Sequence, residues 1–507
     1  MANKALAVLS GVRLLANSIR GINVKHARLL FKSCVLPILT YGSILWSHGH
    51  RQQSLTRPLE KAQNVGLRWL LGAFKTTPTY ALQHLSAIPP IHIHLCRLNA
   101  NAAAKLRTLP KKAEVARRLP VGWDTHDPSL PTIPQNRPLA LTSPISKLAN
   151  MSSPEAEFKL PYMNHPATPM NPYHLRLTLT PVPPEYKGKT KVEMAEIAHC
   201  RIASCARDDT LVGFSDGSKQ VSRGTRRVGI GYSITRNGKE TKAFKGGIGS
   251  RSEIFDAEML GIALAMKECN ALARNHPIQH VHLFSDNQAA VRSIIDVKSH
   301  SAQYASIVFR TAAFEFLDAN PNRTINVRWI PGHADIPGNE RADALANLGA
   351  LCTPIPIFNR TITWIKANAT ESATRLWRKL ATSQPRSDTF THHMRSPPSM
   401  RLHRIFTKDN PPRHLTSRLV MFFTGHGFLG EYFARMKFFG EKDPHCSCGE
   451  SEQTITHLLF SCPHTEPHRE ILSKVSAKLD FDTLYGTPDG LLAIRSFILE
   501  SGIMRPR

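Results

Sequence analysis

Proline decides where this chain can be regular and where it cannot. Fourteen of its 36 prolines fall between residues 120 and 184, with Ser, Thr and Asn among them. Proline fixes φ and removes a backbone donor, so a stretch this dense excludes helix interiors and central sheet ladders. Residues 116–200 are therefore predicted to be a Pro-rich linker. A helical segment, 1–115, precedes it. A compact α/β pattern occupies 208–352, and a basic helical region, 360–507, comes last.

Charge narrows the partners. Lys and Arg number 65 against 38 Asp and Glu, a formal charge of +27. That excess is too large for a generic enzyme of small anions. It points to a polyanion, single- or double-stranded nucleic acid held by the basic flanks, and not to a membrane, because no basic amphipathic helix stands out. An apolar content of 41% favours folded domains over a basic tail. The nine Cys are widely spaced and odd in number, which is no disulfide framework and indicates a reducing compartment. The most apolar run, 27–46, is interrupted by Arg28, Lys32 and Pro37, too early to span a bilayer. No acid occurs before Glu60, as in a mitochondrial transit segment, yet the pattern continues as helices. Nucleus or cytoplasm is expected, with the mitochondrion as the alternative. The pattern leaves the oligomeric state open.

In the first segment, Val8, Val12, Leu15 and Ile19 form a helical stripe that predicts a helix over 4–20. A second helix starts near Lys25 and should kink or break at Pro37. A third spans about 59–74. None brings carboxylates together, so this segment offers no catalysis.

After the linker, residues 210–215, 227–235 and 240–246 read as strands, with Asn237-Gly238 a hairpin turn between the last two. A helix follows over 252–273, then a strand at 280–285, helices after Asp286 and over 302–317, a strand at 324–330 and a final helix. Two Pro-Gly turns separate that last strand from its helix; the first carries His333, and the second delivers Asn339 as the expected N-cap. The order β-β-β-α-β-α-α-β-α implies a mixed five-stranded sheet with flanking helices.

Four acids stand at element ends or on a buried face: Asp216, Glu258, Asp286 and Asp343. Glu258 falls in the apolar stripe of Ile254, Phe255, Ala257, Ile262 and Ala265, where a carboxylate is costly unless paired or metal-bound. Asp256 is expected on the solvated side. Any one of these acids alone could be a cap or a turn residue. Together they imply carboxylates meeting at one place, which repulsion forbids near neutral pH without a cation. Oxygen-only ligands suit Mg²⁺ or Mn²⁺, and two such ions can activate water and stabilise a leaving phosphodiester oxygen.

The blocks FSDGS, FDAEMLGIALA, FSDNQAAV and WIPGHADIPGNERADALA resemble, in order and spacing, the catalytic blocks of the type 1 ribonuclease H family. The resemblance covers about 208–350. It implies the ribonuclease H fold and hydrolysis of the RNA strand of an RNA–DNA hybrid, leaving 5′-phosphate and 3′-hydroxyl ends. It also implies catalytic, metal-binding roles for Asp216, Glu258, Asp286 and Asp343 and a proton-handling role for His333 on a loop. Ser218 and Asn287 would contact the hybrid or orient a carboxylate. LPILTYGSILW and LEKAQNVGLRWLLGAFKTTPTYALQHLSAIPP resemble the thumb or connection region of non-LTR (LINE-type) retroelement reverse transcriptases. That family's palm carries a Tyr-x-Asp-Asp turn, which this sequence lacks, so polymerase activity is not expected.

In the last region, Cys446, Cys448, His457 and Cys462 offer three thiolates and an imidazole, the set of a structural zinc site in a module at 446–462. His464 and His468 are spare ligands. The pattern also resembles the zinc-binding tail that follows retroelement reverse transcriptases and ribonuclease H domains. The competing reading is a catalytically inactive, retroelement-derived nucleic-acid-binding relic, and the presence of all four acids weighs against it.

Overall fold

The computed structural model describes residues 1–47, 53–106, 171–222, 224–296, 300–354, 361–383, 390, 394, 396–408, 410–436 and 444–505. Most of the proline-dense stretch, 107–170, lies outside these described residues. Two units emerge: an α/β unit within 100–369, and a helical unit built from 1–99 together with 370–507.

The α/β unit holds one mixed sheet of six strands. They are β1 (Leu177–Thr180), β2 (Thr210–Ser222), β3 (Thr225–Arg236), β4 (Lys239–Gly249), β5 (His280–Ser285) and β6 (Thr324–Trp329), in the spatial order β1-β6-β5-β2-β3-β4. β2, β3 and β4 form an antiparallel meander, while β5, β6 and β1 join β2 in parallel. Asn237 and Gly238, both at positive φ (48° and 75°), make the expected tight turn between β3 and β4. The five-stranded expectation needs correction. The sixth strand, β1, comes from the end of the proline-dense stretch, in the proline-free run between Pro172 and Pro181. It is four residues long and pairs only with β6, at the sheet edge, where flanking prolines interrupt no central ladder.

Five helices sandwich the sheet: α1 (Lys191–Ser204), α2 (Ile254–Asn275), α3 (Gln288–Ser293), α4 (Gln303–Asp318) and α5 (Pro337–Gly349). Side chains alternate along the strands, so each face has its own core. Leu211, Val281, Leu283, Ile325 and Val327 pack with the apolar faces of α2 and α4. Val212, Phe214 and Phe284 pack on the other side with Ala198 of α1 and Ala342 of α5.

The helical unit joins segments far apart in sequence. Leu9, Phe31, Leu67 and Leu70 share one core with Phe422, Phe423, Tyr432, Leu459 and Phe497. Its first helix, Ala2–Val12, stops short of residue 20 and leaves Leu15 and Ile19 each 51% exposed. The cause is local: the Asn17 side chain accepts from the backbone N–H groups of Ile19 and Arg20, a turn that competes with the helix. At Pro37 the helix does not break. Val24–Leu30 widens through a π-helical turn, Phe31–Val35, into Leu36–Leu39, so the proline enters at the start of a segment, where its missing donor matters least. Among the described residues, no helix is long and apolar enough to cross a membrane.

Candidate active site

The sheet register builds the site. β2 and β5 run parallel, with Phe214 beside Phe284 as their last pair. Two residues beyond that pair on each side stand Asp216 and Asp286. Asp216 was expected at a strand end. Instead β2 continues to Ser222, paired with β3 alone, so this acid sits mid-strand at the point where β5 departs.

Glu258 arrives from α2, in the middle of the buried helix face, and is 4% exposed. Gly217 allows this approach. A Cβ there would lie 2.9 Å from both the Glu258 backbone nitrogen and the Ala257 Cβ, distances no ordinary side chain tolerates. Gly332 does the same for Asp286, because a Cβ at that position would fall 2.3 Å from its carboxylate. One carboxylate oxygen from each of Asp216, Glu258 and Asp286 lies within 4.8 Å of the others.

Crowding shows in the proton affinities. Burial, then the Asp286 charge, raises Asp216 to about 7. Burial, then Asp216 and Asp286, holds Glu258 well above the usual carboxylate range. Asp286 is also raised by burial, although His333 and a hydrogen bond from the Asn339 amide pull it back. Glu258 Oε2 is buried without a hydrogen-bond partner among the described residues. Three acids around an orphaned buried oxygen fit a hard divalent cation, which would supply the missing partner and relieve the repulsion.

Asp343 stands beside this trio in a second group with His333 and Glu340, again within 4.8 Å. Its charge raises both Asp216 and Asp286. Asn347, one helical turn on, donates to Asp343 Oδ1 at 2.9 Å, and the Asn347 side-chain oxygen accepts from Ser218 and Gln220. Ser218 therefore reaches a carboxylate through a relay. Asn287 caps α3, its side chain accepting from the Ala290 N–H at 3.0 Å. His333 is exposed on the turn before α5, at φ 47°.

Two sequence readings change. Asn339 is no N-cap: α5 starts at Pro337, whose fixed φ suits the first helical position, and Asn339 falls inside, 2% exposed and bonded to Asp286. Its spacing to Ala342 and Ala346 was the available signal for a buried face. Asp256 is not solvated either. It is 0% exposed, accepting from the Glu253 N–H (2.9 Å) and from the Thr361 and Thr363 hydroxyls (2.7 and 2.8 Å). Helical periodicity could not show that a segment over a hundred positions downstream covers that side of α2. Asn347 and Glu340 were also missed as members of the site.

Residues 208–351 match the RNase H family. A ribonuclease H from Paracidovorax citrulli (strain AAC00-1) is 30% identical over 149 residues, covering 27% of this chain and 93% of that protein. The chain belongs to the ribonuclease H family. A second ribonuclease H, from Polaromonas naphthalenivorans (strain CJ2), is 29% identical over 154 residues, 27% of this chain and 86% of its own length. Among solved structures, LC11-RNase H1 in complex with an RNA/DNA hybrid shares 21% identity over 28% of this chain and 96% of that one, with a TM-score of 0.23. The α/β unit is thus a ribonuclease H enzyme, and the helical unit lies outside the matched residues.

In the helical unit, Cys446, Cys448, His457 and Cys462 also converge within 4.8 Å. The Cys446 and Cys462 sulfurs are 3.8 Å apart, and Cys448 Sγ lies 3.2 Å from His457 Nε2. The spare ligand His464 instead hydrogen-bonds Ser447 at 3.0 Å.

Proposed function

We propose that this protein cuts the RNA strand of RNA–DNA hybrids with two divalent cations, Mg²⁺ or Mn²⁺, held by Asp216, Glu258, Asp286 and Asp343. The observation that carries this reading is the converging carboxylate trio, one member of which, Glu258, has a buried oxygen without a partner among the described residues. Bound cations supply activation of the attacking water and stabilisation of the leaving 3′-oxygen. The chain's own residues do the rest. Asn339 and Gly332 fix the Asp286 carboxylate, and Asn347 orients Asp343. His333, exposed beside Asp343, gives a proton to the 3′-oxygen as it leaves and regains one from the attacking water. Water's oxygen ends on the 5′-phosphate and a proton on the 3′-hydroxyl. Contacts to 2′-hydroxyls distinguish RNA from DNA, and the surplus of Lys and Arg supplies salt-sensitive affinity.

The remaining parts fit a retroelement-derived protein: a thumb-like helical segment and a tail in which the three thiolates and His457 hold a structural zinc. The donor set and its closeness support zinc. Elemental analysis should find about one zinc per chain, lost in Cys462→Ser.

The deciding assay offers the purified protein a labelled hybrid and the matching duplex DNA with Mg²⁺. The hybrid should be cut at internal RNA positions and the duplex spared. A hybrid left intact with both Mg²⁺ and Mn²⁺ would overturn the reading.

A further inference from the structure

The helical unit contains a cavity of about 510 Å³ that shares no residue with the carboxylate site. Its size is that of a small-molecule site. Tyr80 and His84 line it from the helix Thr79–Ser86, one turn apart, and Phe390 and Trp377 add two more aromatic walls. His84 packs edge-on against Phe390, ring centroids 5.4 Å apart. Burial lowers the His84 imidazole to about 3, so at neutral pH this wall is an uncharged ring.

The cavity's walls are mixed, and some of its polar groups are unused. Gln83 projects beside Tyr80 and His84, is 9% exposed and finds no side-chain partner among the described residues. Asn64 Oδ1 is buried and also unpartnered among them. A buried amide oxygen without a partner, such as that of Asn64, is uncommon in folded proteins and asks for a donor, while the Gln83 amide is left free to meet a ligand. Glu60, one helical turn before Asn64, lines the same cavity and lies 3.3 Å from His92 Nδ1. Glu60 is the only acid among residues 1–99, against twelve Lys and Arg. A segment so basic gathers a polyanion, and its one carboxylate sits where a hydrogen-bond donor would be received.

A ligand matching these walls is flat, apolar on its faces and edged with both donors and acceptors. Carboxamides pair bidentately with such an edge, a carboxylate accepts from an exocyclic amine, and aromatic rings stack on the faces. We propose that this cavity takes an unstacked nucleobase of a single-stranded nucleic acid. The chemistry is shared by a free mononucleotide, which the test separates. The proposal goes beyond hybrid cleavage and is independent of it, because binding is read where nothing is cut.

The test uses the full chain without added divalent ions. Fluorescence anisotropy compares a short labelled deoxyadenylate strand with an abasic strand of equal length and charge, so the phosphate contribution cancels. The base-bearing strand should bind about tenfold tighter, the scale of one stacked base. Gln83→Leu and Glu60→Gln should each reduce that preference to about twofold or less and leave cleavage of a blunt hybrid unchanged. Glu60 is partly exposed and its replacement keeps the shape, so the test survives if Gln83→Leu fails to fold. AMP should displace the labelled strand from the unaltered chain. Equal affinity for the two strands, or a preference untouched in both variants, overturns the proposal. Saturable AMP binding without any base dependence in the strands also overturns it, in favour of a free-nucleotide site.

Discussion

The two units bury charge in opposite ways. The α/β unit buries carboxylates against one another and leaves an oxygen of Glu258 without a partner among the described residues. In the helical unit, two buried arginines meet backbone acceptors instead. Arg413, 2% exposed, donates to the backbone carbonyls of Asn17, Leu70 and Trp69, and Arg418, 5% exposed, to those of Ile498 and Ile503. Burial lowers both guanidinium groups to about 10, still charged at neutral pH. A buried charge with complete hydrogen bonding joins parts of a scaffold; a buried charge without it waits for something to bind.

The largest test of this contrast is Asp286→Asn. Removing one charge from the cluster should lower hybrid cleavage by at least about a thousandfold while the cation-free fold holds or gains stability. Loss of folding in step with activity would make Asp286 structural and erase the distinction. Arg413→Leu should do the reverse. It strands the Asn17 and Leu70 carbonyls, leaves Trp69 only its Gly72 N–H, unties residue 17 and residues 69–70 from the C-terminal segment, and should cost about 3–5 kcal/mol in the helical unit's unfolding transition. Calorimetry on each variant, alongside cleavage rates, separates the two outcomes.

Proton affinity sharpens the comparison. Without divalent ions, Asp216 is raised from 3.8 to about 7. A raised carboxylate stabilises the fold below its unfolded pKa and loses that contribution as pH climbs through about 7. His84 and His94, buried and neutral, are lowered from 6.5 to about 3 and about 4. Their unfolded forms take up protons first, so the helical unit loses stability as pH falls from 6.5 towards 4, by roughly 1.4 kcal/mol per pH unit for each. His282 in the α/β unit, lowered by burial to about 4, softens the opposite trend there without cancelling two raised acids. Thermal scans at pH 5 and pH 7 should therefore move the two transitions in opposite directions, and Mg²⁺ should raise only the α/β one at pH 7. Parallel movement would count against the buried-charge contrast.

The same contrast explains what could be read from residues alone. Asp216, Glu258 and Asp286 were legible because each breaks a local rule, an acid beside apolar strand residues or inside an apolar helix face. The parallel crossover order then brings two of them side by side. The sixth strand was not legible, since four residues between prolines carry too little pattern to outweigh the prolines themselves. Nor was the shared core of the helical unit, because pairing Phe31 or Leu70 with Phe422 and Tyr432 depends on contacts across more than 300 positions. Asn339 and Asn347 act by bonding other side chains, and such relays leave no periodic mark.

Asp256 is the case between the two kinds, and so yields the subtlest prediction. It is a fully buried carboxylate whose oxygens are hydrogen-bonded, two residues before Glu258 on the first turn of α2. Two of its partners, Thr361 and Thr363, lie beyond the matched family residues 208–351, and the Thr361 N–H also donates to the Arg251 carbonyl at 2.9 Å. Lys219 of β2 pairs with Glu253 at the same helix start. The downstream segment thus holds the helix turn that Glu258 follows. Replacing Thr361 and Thr363 together with Val keeps their shape and removes both donors, at about 1–3 kcal/mol of stability. If the contact only stabilises, kcat stays constant at temperatures below the transition. If it positions Glu258, kcat should fall by about three- to tenfold and the Mg²⁺ concentration for half-maximal rate should rise, with KM for hybrid unchanged and with Ser at both positions restoring the rate. The first outcome would place Asp256 with Arg413 as scaffold, and the second would extend the catalytic unit past residue 351.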